Sequence, residues 1–367
     1  MFIVVFCKKG EKEIMTDFKP NSHRFKEEQK NTAKEKKKVE KIVTGKVKTK
    51  KKNGEYIIVE EEEVIIMKKK TKGLTFSMEG IGNKTLPYLM ITPAMIICMV
   101  FMVYPIAYMV YLSFFKWNMI GDMKFIGFEN YISLFTDSEF MQVLYNTCQF
   151  TLWTVVGFIF FGLLLALYLN KNTKINRMIQ SIVFIPYIVP LVSIAFIWMW
   201  IMDSDLGLLN YVLNLFGIDS VKWLSDPKVA MYSLIIVNIW KATGYYALIF
   251  LSALQGIPSY LYEAAELDKA NKLTVFFKIT LPMLSPTLFF LVLTGTIASF
   301  KVFETISIMT QGGPVNSTNT LVYYIYEYGF SFYKIGYASA VGVVLMVIVS
   351  LLTLVYFGLL HKKVHYQ

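Results

Sequence analysis

The sequence predicts an all-α membrane protein of about six transmembrane helices, preceded by a mostly disordered, basic amino-terminal tail. Three observations lead there. Of the 367 residues 55% are hydrophobic and 16% aromatic, and the mean hydropathy is +0.48, too apolar for a water-soluble chain of this length. Apolar runs recur at about the 20 residues that a helix needs to cross the hydrocarbon core. Charge is segregated, with most of the net +11 lying before the first apolar run.

Residues 1–84 hold 22 Lys and Arg against 13 Asp and Glu, in runs such as Lys36 to Lys38, Lys50 to Lys52 and Lys68 to Lys70. Such a segment buries too little apolar surface to offset chain entropy, so it reads as a cytoplasmic tail that enforces orientation and brushes anionic lipid. Basic runs without a recognisable module do not argue for nucleic-acid binding. Tyr56 to Val59 and Val64 to Met67 flank Glu60 to Glu63 and suggest a short strand pair. Met1 to Cys7 is too short for a cleaved leader and lacks its basic start.

The second predicted region, residues 85–367, contains six candidate spans, at about 88–115, 147–169, 180–202, 229–254, 283–309 and 336–360. Pro93 and Pro105 interrupt the first and Pro186 and Pro190 the third; because neighbours can satisfy freed carbonyls, kinks are expected rather than breaks. Lysine-rich flanks set the orientation. The tail, Lys171, Lys174 and Arg177, then Lys269, Lys272 and Lys278, then Lys362 and Lys363 belong in the cytoplasm. The alternate loops carry Asp122, Glu129, Asp137 and Glu139, then Asp203, Asp205, Asp219 and Asp226, then Glu327, and face outward. Both termini are therefore expected inside.

Between the fourth and fifth spans lies a compact polar segment, about residues 256–286, whose core from Glu263 to Pro286 reads EAAELDKANKLTVFFKITLPMLSP. Leu261, Ala264, Ala265 and Asp268 fall on one helical face by spacing, small enough for close docking, while Glu263 and Glu266 stay wet. After Asp268 the pattern breaks. Phe276 and Ile279 begin a second amphipathic turn, and Pro282 and Pro286 lead into the next span.

This segment resembles the EAA loop of the permease subunits of binding-protein-dependent ABC importers, and its flanks resemble the sugar-permease branch related to the maltose permeases. Those flanks are Trp240, Leu254, Gln255, Ile257, Pro258, Leu261 and Tyr262 before the loop, and Met309, Thr310, Gly312, Gly313, Pro314, Asn316, Ser317 and Thr318 after it. Phe125, Gly127, Glu129, Asn130, Tyr131, Leu134 and Phe135 match near the first span, and Gly336 to Ala340 before the last. The resemblance covers about residues 86–360 in family order. One departure stands out: the family carries glycine where this chain has Lys269. A lysine held at positive φ costs on the order of 1 kcal/mol, and Asn271, two places on, is the alternative left-handed residue.

The resemblance implies a multi-pass subunit of the bacterial plasma membrane that imports a carbohydrate or related solute. It implies a second permease subunit, an ABC ATPase dimer and an extracellular solute-binding protein as partners. Tyr262, Glu263, Ala264, Ala265, Asp268, Ala270, Ile279, Leu281 and Pro282 would then form a cytoplasmic coupling helix and its return. The external turn at Gly312, Gly313 and Pro314 would lie where a binding protein docks. No cofactor is expected on this chain, with ATP used by a partner: the string from Gly80 to Thr85 lacks the adjacent Gly-Lys pair of a phosphate loop. Nor does the sequence carry a hydrolase elbow or zinc-protease motif. Cys7, Cys98 and Cys148 give no disulfide framework, and His23, His361 and His365 no metal spacing.

Polar residues inside spans are costly and face protein or a watery cavity. Lys241, Lys301 and Glu304 either neutralise one another, Glu304 pairing with Lys301 or Lys241, or line a translocation path with Trp240, Asn238, Thr243, Ser299, Phe303 and Thr305. Two other classes stay open on the residues alone. An ion-coupled secondary transporter would show paired halves with broken helices, of which no repeat is seen, and a non-transporting scaffold would recruit no ATPase.

Overall fold

The computed structural model describes residues 50–52, 55–57, 86–171 and 173–360. The predicted amino-terminal tail, the phosphate-loop-like string at Gly80, and Cys7, His23, His361, Lys362, Lys363 and His365 lie outside them, apart from one strand pair. By contact density the chain divides into residues 1–90 and 91–367.

In the first unit, β1 (Lys50–Lys52) pairs antiparallel with β2 (Glu55–Ile57), Lys51 opposite Tyr56. Of the expected pairing of Tyr56 to Val59 with Val64 to Met67, all but Tyr56 and Ile57 lies outside the described residues. The overlooked signal is Asn53-Gly54, the composition a two-residue hairpin connection favours.

Among the described residues five helices are long and apolar enough to cross a membrane: Pro87–Leu112, Ser138–Leu169, Ala230–Gln255, Ser285–Met309 and Ile335–Gly358. The first is α1 (Leu86–Cys98), a wide π-helical turn over Met99–Val103, and α2 (Tyr104–Leu112). Its wide turn directly precedes the prolyl turn at Pro105, and Tyr104 keeps helical dihedrals. This span stays continuous, as expected.

The third candidate does not. It is two helices, α5 (Lys174–Ile188) and α6 (Leu191–Ile201), bent by 97°. Val189 (ψ 135°) and Pro190 (ψ 134°) are both extended. A residue before proline clashes with the pyrrolidine ring in the helical region, and here Val189 yields where Tyr104 does not. The predicted kink is thus a break.

The remaining α-helices are α3 (Glu129–Thr136), α4 (Ser138–Leu169), α7 (Leu208–Leu215), α8 (Ala230–Gln255), α9 (Ser259–Leu267), α10 (Lys272–Val275), α11 (Leu281–Met283), α12 (Ser285–Phe300), α13 (Glu304–Met309), α14 (Leu321–Tyr326) and α15 (Ile335–Leu360). Helices α4 and α8 form the centre. Phe150, Met231, Leu234, Val302 and Ile306 fill one part of the core; Phe158, Ala166, Tyr246, Phe250, Leu284 and Leu291 fill another. The apolar window of the first span has no residue buried inside the chain.

Two separated sequence stretches meet at the expected outer side. Asn130 donates to the carbonyls of Ser113 (2.8 Å) and Phe115 (3.1 Å), and Ile335 N–H donates to the Trp117 carbonyl at 3.1 Å. A Cβ on Gly336 would collide with the Phe115 carbonyl oxygen. The stretch around Asn130 and the stretch from Gly336 to Ala340 therefore form one joint between the first and last spans. Between α6 and α8, buried Asn210 donates to the carbonyls of Ser204 and Val221, both at 2.9 Å, and accepts from Val221 N–H and the Trp223 indole.

Helices α5 and α8 touch backbone to backbone at Gly244, where an added Cβ would strike the Val183 carbonyl. Small residues at such crossings are what hold spans together when lipid is the solvent. Gly244→Ala should therefore force the two helices apart, lowering stability by about 1–3 kcal/mol. Gly358→Ala, where nothing lies within 4 Å of the new atom, should be neutral; thermal unfolding of the detergent-purified variants checks both.

Candidate functional site

The polar segment folds as the sequence implies, helix, turn, helix, span, and its turn is defined atom by atom. Helix α9 ends at Leu267, capped by Asp268. Lys269 N–H then donates to the Glu266 carbonyl at 3.0 Å and Ala270 N–H to the Ala265 carbonyl at 2.9 Å, the paired bonds of a Schellman ending. That ending needs a left-handed residue, and Lys269 supplies it with φ 53°. Asn271 does not: its φ is −72°, and its side chain caps α10 by accepting from Thr274 N–H at 2.7 Å. The alternative of a left-handed Asn271 is thereby excluded, because the carbonyls to be satisfied lie one turn back from Lys269.

The return passes through a π-helical turn, Phe276–Thr280, into α11 with Pro282 near its start. Tyr262 and Thr280 hydroxyls lie 3.2 Å apart and tie the outgoing helix to the return. Leu261 and Tyr262 pack against the core cluster of Leu254, Ile257 and Leu284. Ala265 is buried at 8%, while Glu263, Ala264 and Asp268 are exposed and Ala270, Ile279, Leu281 and Pro282 half-buried. The two alanines thus separate: Ala265 seats the helix on its own chain and Ala264 faces out. The outward surface also carries apolar side chains that sequence reasoning passed over, Tyr260 at 65% exposure, Leu267 at 84%, Leu273 at 69% and Phe277 at 61%. The available signal was spacing, since Tyr260, Ala264 and Leu267 repeat at helical intervals opposite Leu261 and Ala265.

Within the spans, Lys241 on α8 donates to the Tyr187 carbonyl at 3.0 Å and lies 5.2 Å from the centre of the Tyr187 ring. That ring stacks on Tyr245 at 4.4 Å. Lys241 is therefore engaged by a backbone carbonyl, whereas Glu304 is one of the partners the sequence offers it. Trp240 is half exposed and meets Trp198 edge to face at 5.4 Å. Lys301 and Glu304 are exposed. Ser299 and Thr305 are enclosed, Thr305 accepting from Asn238 at 3.2 Å, and Phe303 packs on Tyr326 at 5.2 Å. Of the predicted path residues, the structure leaves Trp240, Lys241, Lys301 and Glu304 accessible and turns Ser299 and Thr305 to helix packing.

The turn at Gly312 to Pro314 is held by side chains of α4. Asn146 donates to the carbonyls of Asn316 (2.8 Å) and Asn319 (3.1 Å), and Asn316 donates to Glu139 at 2.9 Å. Gln311, Val315 and Asn316 all have positive φ, a conformation that is rare for a β-branched residue such as Val315, and Val315 is 83% exposed. A cleft of about 440 Å³ opens beside it, lined in part by Glu139, Gln142, Gln311 and Asn316. Burial pushes the Glu327 carboxyl above the usual range, offset in part by its hydrogen bond from Asn319. Among the described residues no group of His, Cys, Asp and Glu is placed to hold a metal ion.

The family model described as "Binding-protein-dependent transport system inner membrane component" matches residues 158–366. The chain is 37% identical to the sulfoquinovosyl glycerol transport system permease protein SmoG of Agrobacterium fabrum, over 77% of this chain and 92% of that protein. It is 33% identical to the sn-glycerol-3-phosphate transport system permease protein UgpA of Escherichia coli, over 78% and 97%. It superposes with a TM-score of 0.67 and 26% identity on a chain of a bacterial alginate ABC transporter solved with an alginate pentasaccharide-bound periplasmic protein, covering 76% of this chain and 95% of that one. With the helical spans and the turn at Lys269, these matches identify the chain as a member of the family of binding-protein-dependent transport system inner membrane components.

Proposed function

We propose that this chain is the permease subunit of an ATP-driven importer of a carbohydrate or related solute, and that α9 and its return are its contact with a separate ABC ATPase dimer. The observation that carries the reading is a polar segment anchored on the core by Leu261, Tyr262 and Ala265 yet presenting Tyr260, Leu267, Leu273 and Phe277 outward. Apolar side chains ringed by charge, on a segment flanked by Lys269, Lys272 and Lys278, mark a docking face on the basic, cytoplasmic side. Glu263, Ala264 and Asp268 lie on that face; Ala270, Ile279, Leu281 and Pro282 brace it.

A second permease subunit completes the path, to which Trp240, Lys241, Lys301 and Glu304 contribute accessible side chains. The braced turn at Val315 faces a soluble solute-binding protein on the opposite side, and both termini lie in the cytoplasm. ATP is bound and hydrolysed by the partner, and this chain holds no cofactor. The carbohydrate class rests on the relatives' solutes, a sulfoquinovosyl glycerol, a glycerol phosphate and alginate. Reconstitution with the neighbouring ATPase and permease tests it: uptake should require ATP and binding protein. Uptake driven by an ion gradient without the ATPase would overturn it.

Two substitutions separate docking from folding. Ala264→Arg should cut ATP-dependent uptake at least about tenfold, by blocking a close-packed interface, with membrane level and thermal stability unchanged. Ala265→Arg should lower stability as well, by about 1–3 kcal/mol or more, because it forces a long side chain into a filled site. Wild-type uptake in Ala264→Arg sinks the docking assignment. Lys269→Gly should relieve about 1 kcal/mol of backbone strain, raising protection of the residue 269 and Ala270 amides in hydrogen exchange.

A further inference from the structure

Lys241 sits between the two places where the spans lose their helical backbone. On one side is the break at Val189 and Pro190, where the carbonyl of Tyr187, two residues before it, takes the Lys241 ammonium at 3.0 Å. In a continuous helix that oxygen would accept from the residue four places on; past an extended Val189 and Pro190 the lysine replaces that donor. On the other side is the stretch from Lys301 to Phe303 that separates α12 from α13, with φ −138° at Phe303. Glu304 follows it directly. Asn238, one helical turn before Lys241, bonds Thr305, the residue after Glu304, so the first turn of α13, which carries Glu304, adjoins the stretch of α8 that carries Lys241.

One ammonium on a flexible four-carbon stem thus bonds a neutral carbonyl on the third span, while the adjoining start of α13 carries an exposed carboxylate, Glu304. We propose that Lys241 is a positioning residue that holds the broken third span against the fourth in one state of the transport cycle and exchanges the Tyr187 carbonyl for the Glu304 carboxylate in the other. The carbonyl contact closes the break onto α8 beside Gly244; the carboxylate contact frees the break to rotate. Each state thereby satisfies the intramembrane charge with a different partner, as alternation between two packings requires.

The inference rests on the ATP-driven reading, and its test needs no knowledge of the solute. Ile188, exposed at the break, is replaced by cysteine in a chain lacking Cys7, Cys98 and Cys148, assembled with its ATPase and second permease in nanodiscs. Labelling by a water-soluble maleimide is compared without nucleotide and after trapping with ATP and vanadate. The wild-type background should show a difference of about fivefold or more between states, and Lys241→Gln, which can still donate to a carbonyl but cannot form an ion pair, should reduce it below about twofold. Glu304→Gln should do the same, the double variant no more than either alone, and Lys241→Arg and Lys301→Gln should leave it intact. If Lys241→Gln fails to assemble, the exposed Glu304→Gln carries the measurement. State-dependent labelling that survives Glu304→Gln, or effects that multiply in the double variant, overturn the exchange. A wild-type complex indifferent to nucleotide counts against the ATP-driven reading itself, and the alternation with it.

Discussion

In a bilayer no water reaches the backbone, so every carbonyl and amide that leaves a helix must find a partner within the protein. That constraint accounts for several of the polar side chains here. Asn130 satisfies the carbonyls after the first span, Asn146 those of the turn before α14, and Asn210 both a carbonyl and an amide of the segment between α6 and α8. Lys241 does the same for the broken third span. An amide side chain can donate and accept at once, which is why asparagine recurs at the loops. At the break, deeper in the membrane, the same duty falls to a charged group.

The spans were legible because their signal is length and hydropathy, which survive any detail of packing. Five of the six candidates are continuous enough to cross, four with ends shifted by a few residues and the second beginning at Ser138, nine residues earlier than expected. The break in the third was not legible, although both prolines were seen. Pro105 and Pro190 carry the same local penalty, and whether the preceding residue stays helical or becomes extended depends on what waits for the freed carbonyl. For Tyr187 the waiting group is on another helix, 54 residues away, and no local pattern records it. The joint between the Asn130 and Gly336 stretches was hidden likewise: both were noticed, but that they touch is a fact of topology.

At the polar segment between the fourth and fifth spans the turn was nearly legible and the faces only half so. Lys269 stood out as the residue in the place of a glycine, and the structure keeps it there at φ 53° because the Ala265 and Glu266 carbonyls accept only from the two residues that follow Asp268. The cost of about 1 kcal/mol is smaller than that of leaving those carbonyls to a disordered turn. Ala264 and Ala265, adjacent in sequence, differ by about 100° around a helix, so both cannot face one partner squarely. Which one turns inward is settled by Leu261 and Tyr262, whose bulk must reach the core cluster of Leu254 and Leu284.

The same anchoring decides what kind of motion the segment can transmit. Between α8 and α9 the chain is held by Ile257 in the core, between α9 and α10 by the Schellman bonds, and between α10 and α12 by a continuous run of helical turns through Pro282. The Tyr262 and Thr280 hydroxyls close the loop on itself. A force applied at Leu267 or Leu273 therefore finds no soft point before the fourth and fifth spans and moves them as a body. Compliance has to lie elsewhere, where helical bonding is interrupted inside the membrane. The described spans offer that at Val189 to Pro190 and at Lys301 to Phe303, and Lys241 stands between the two.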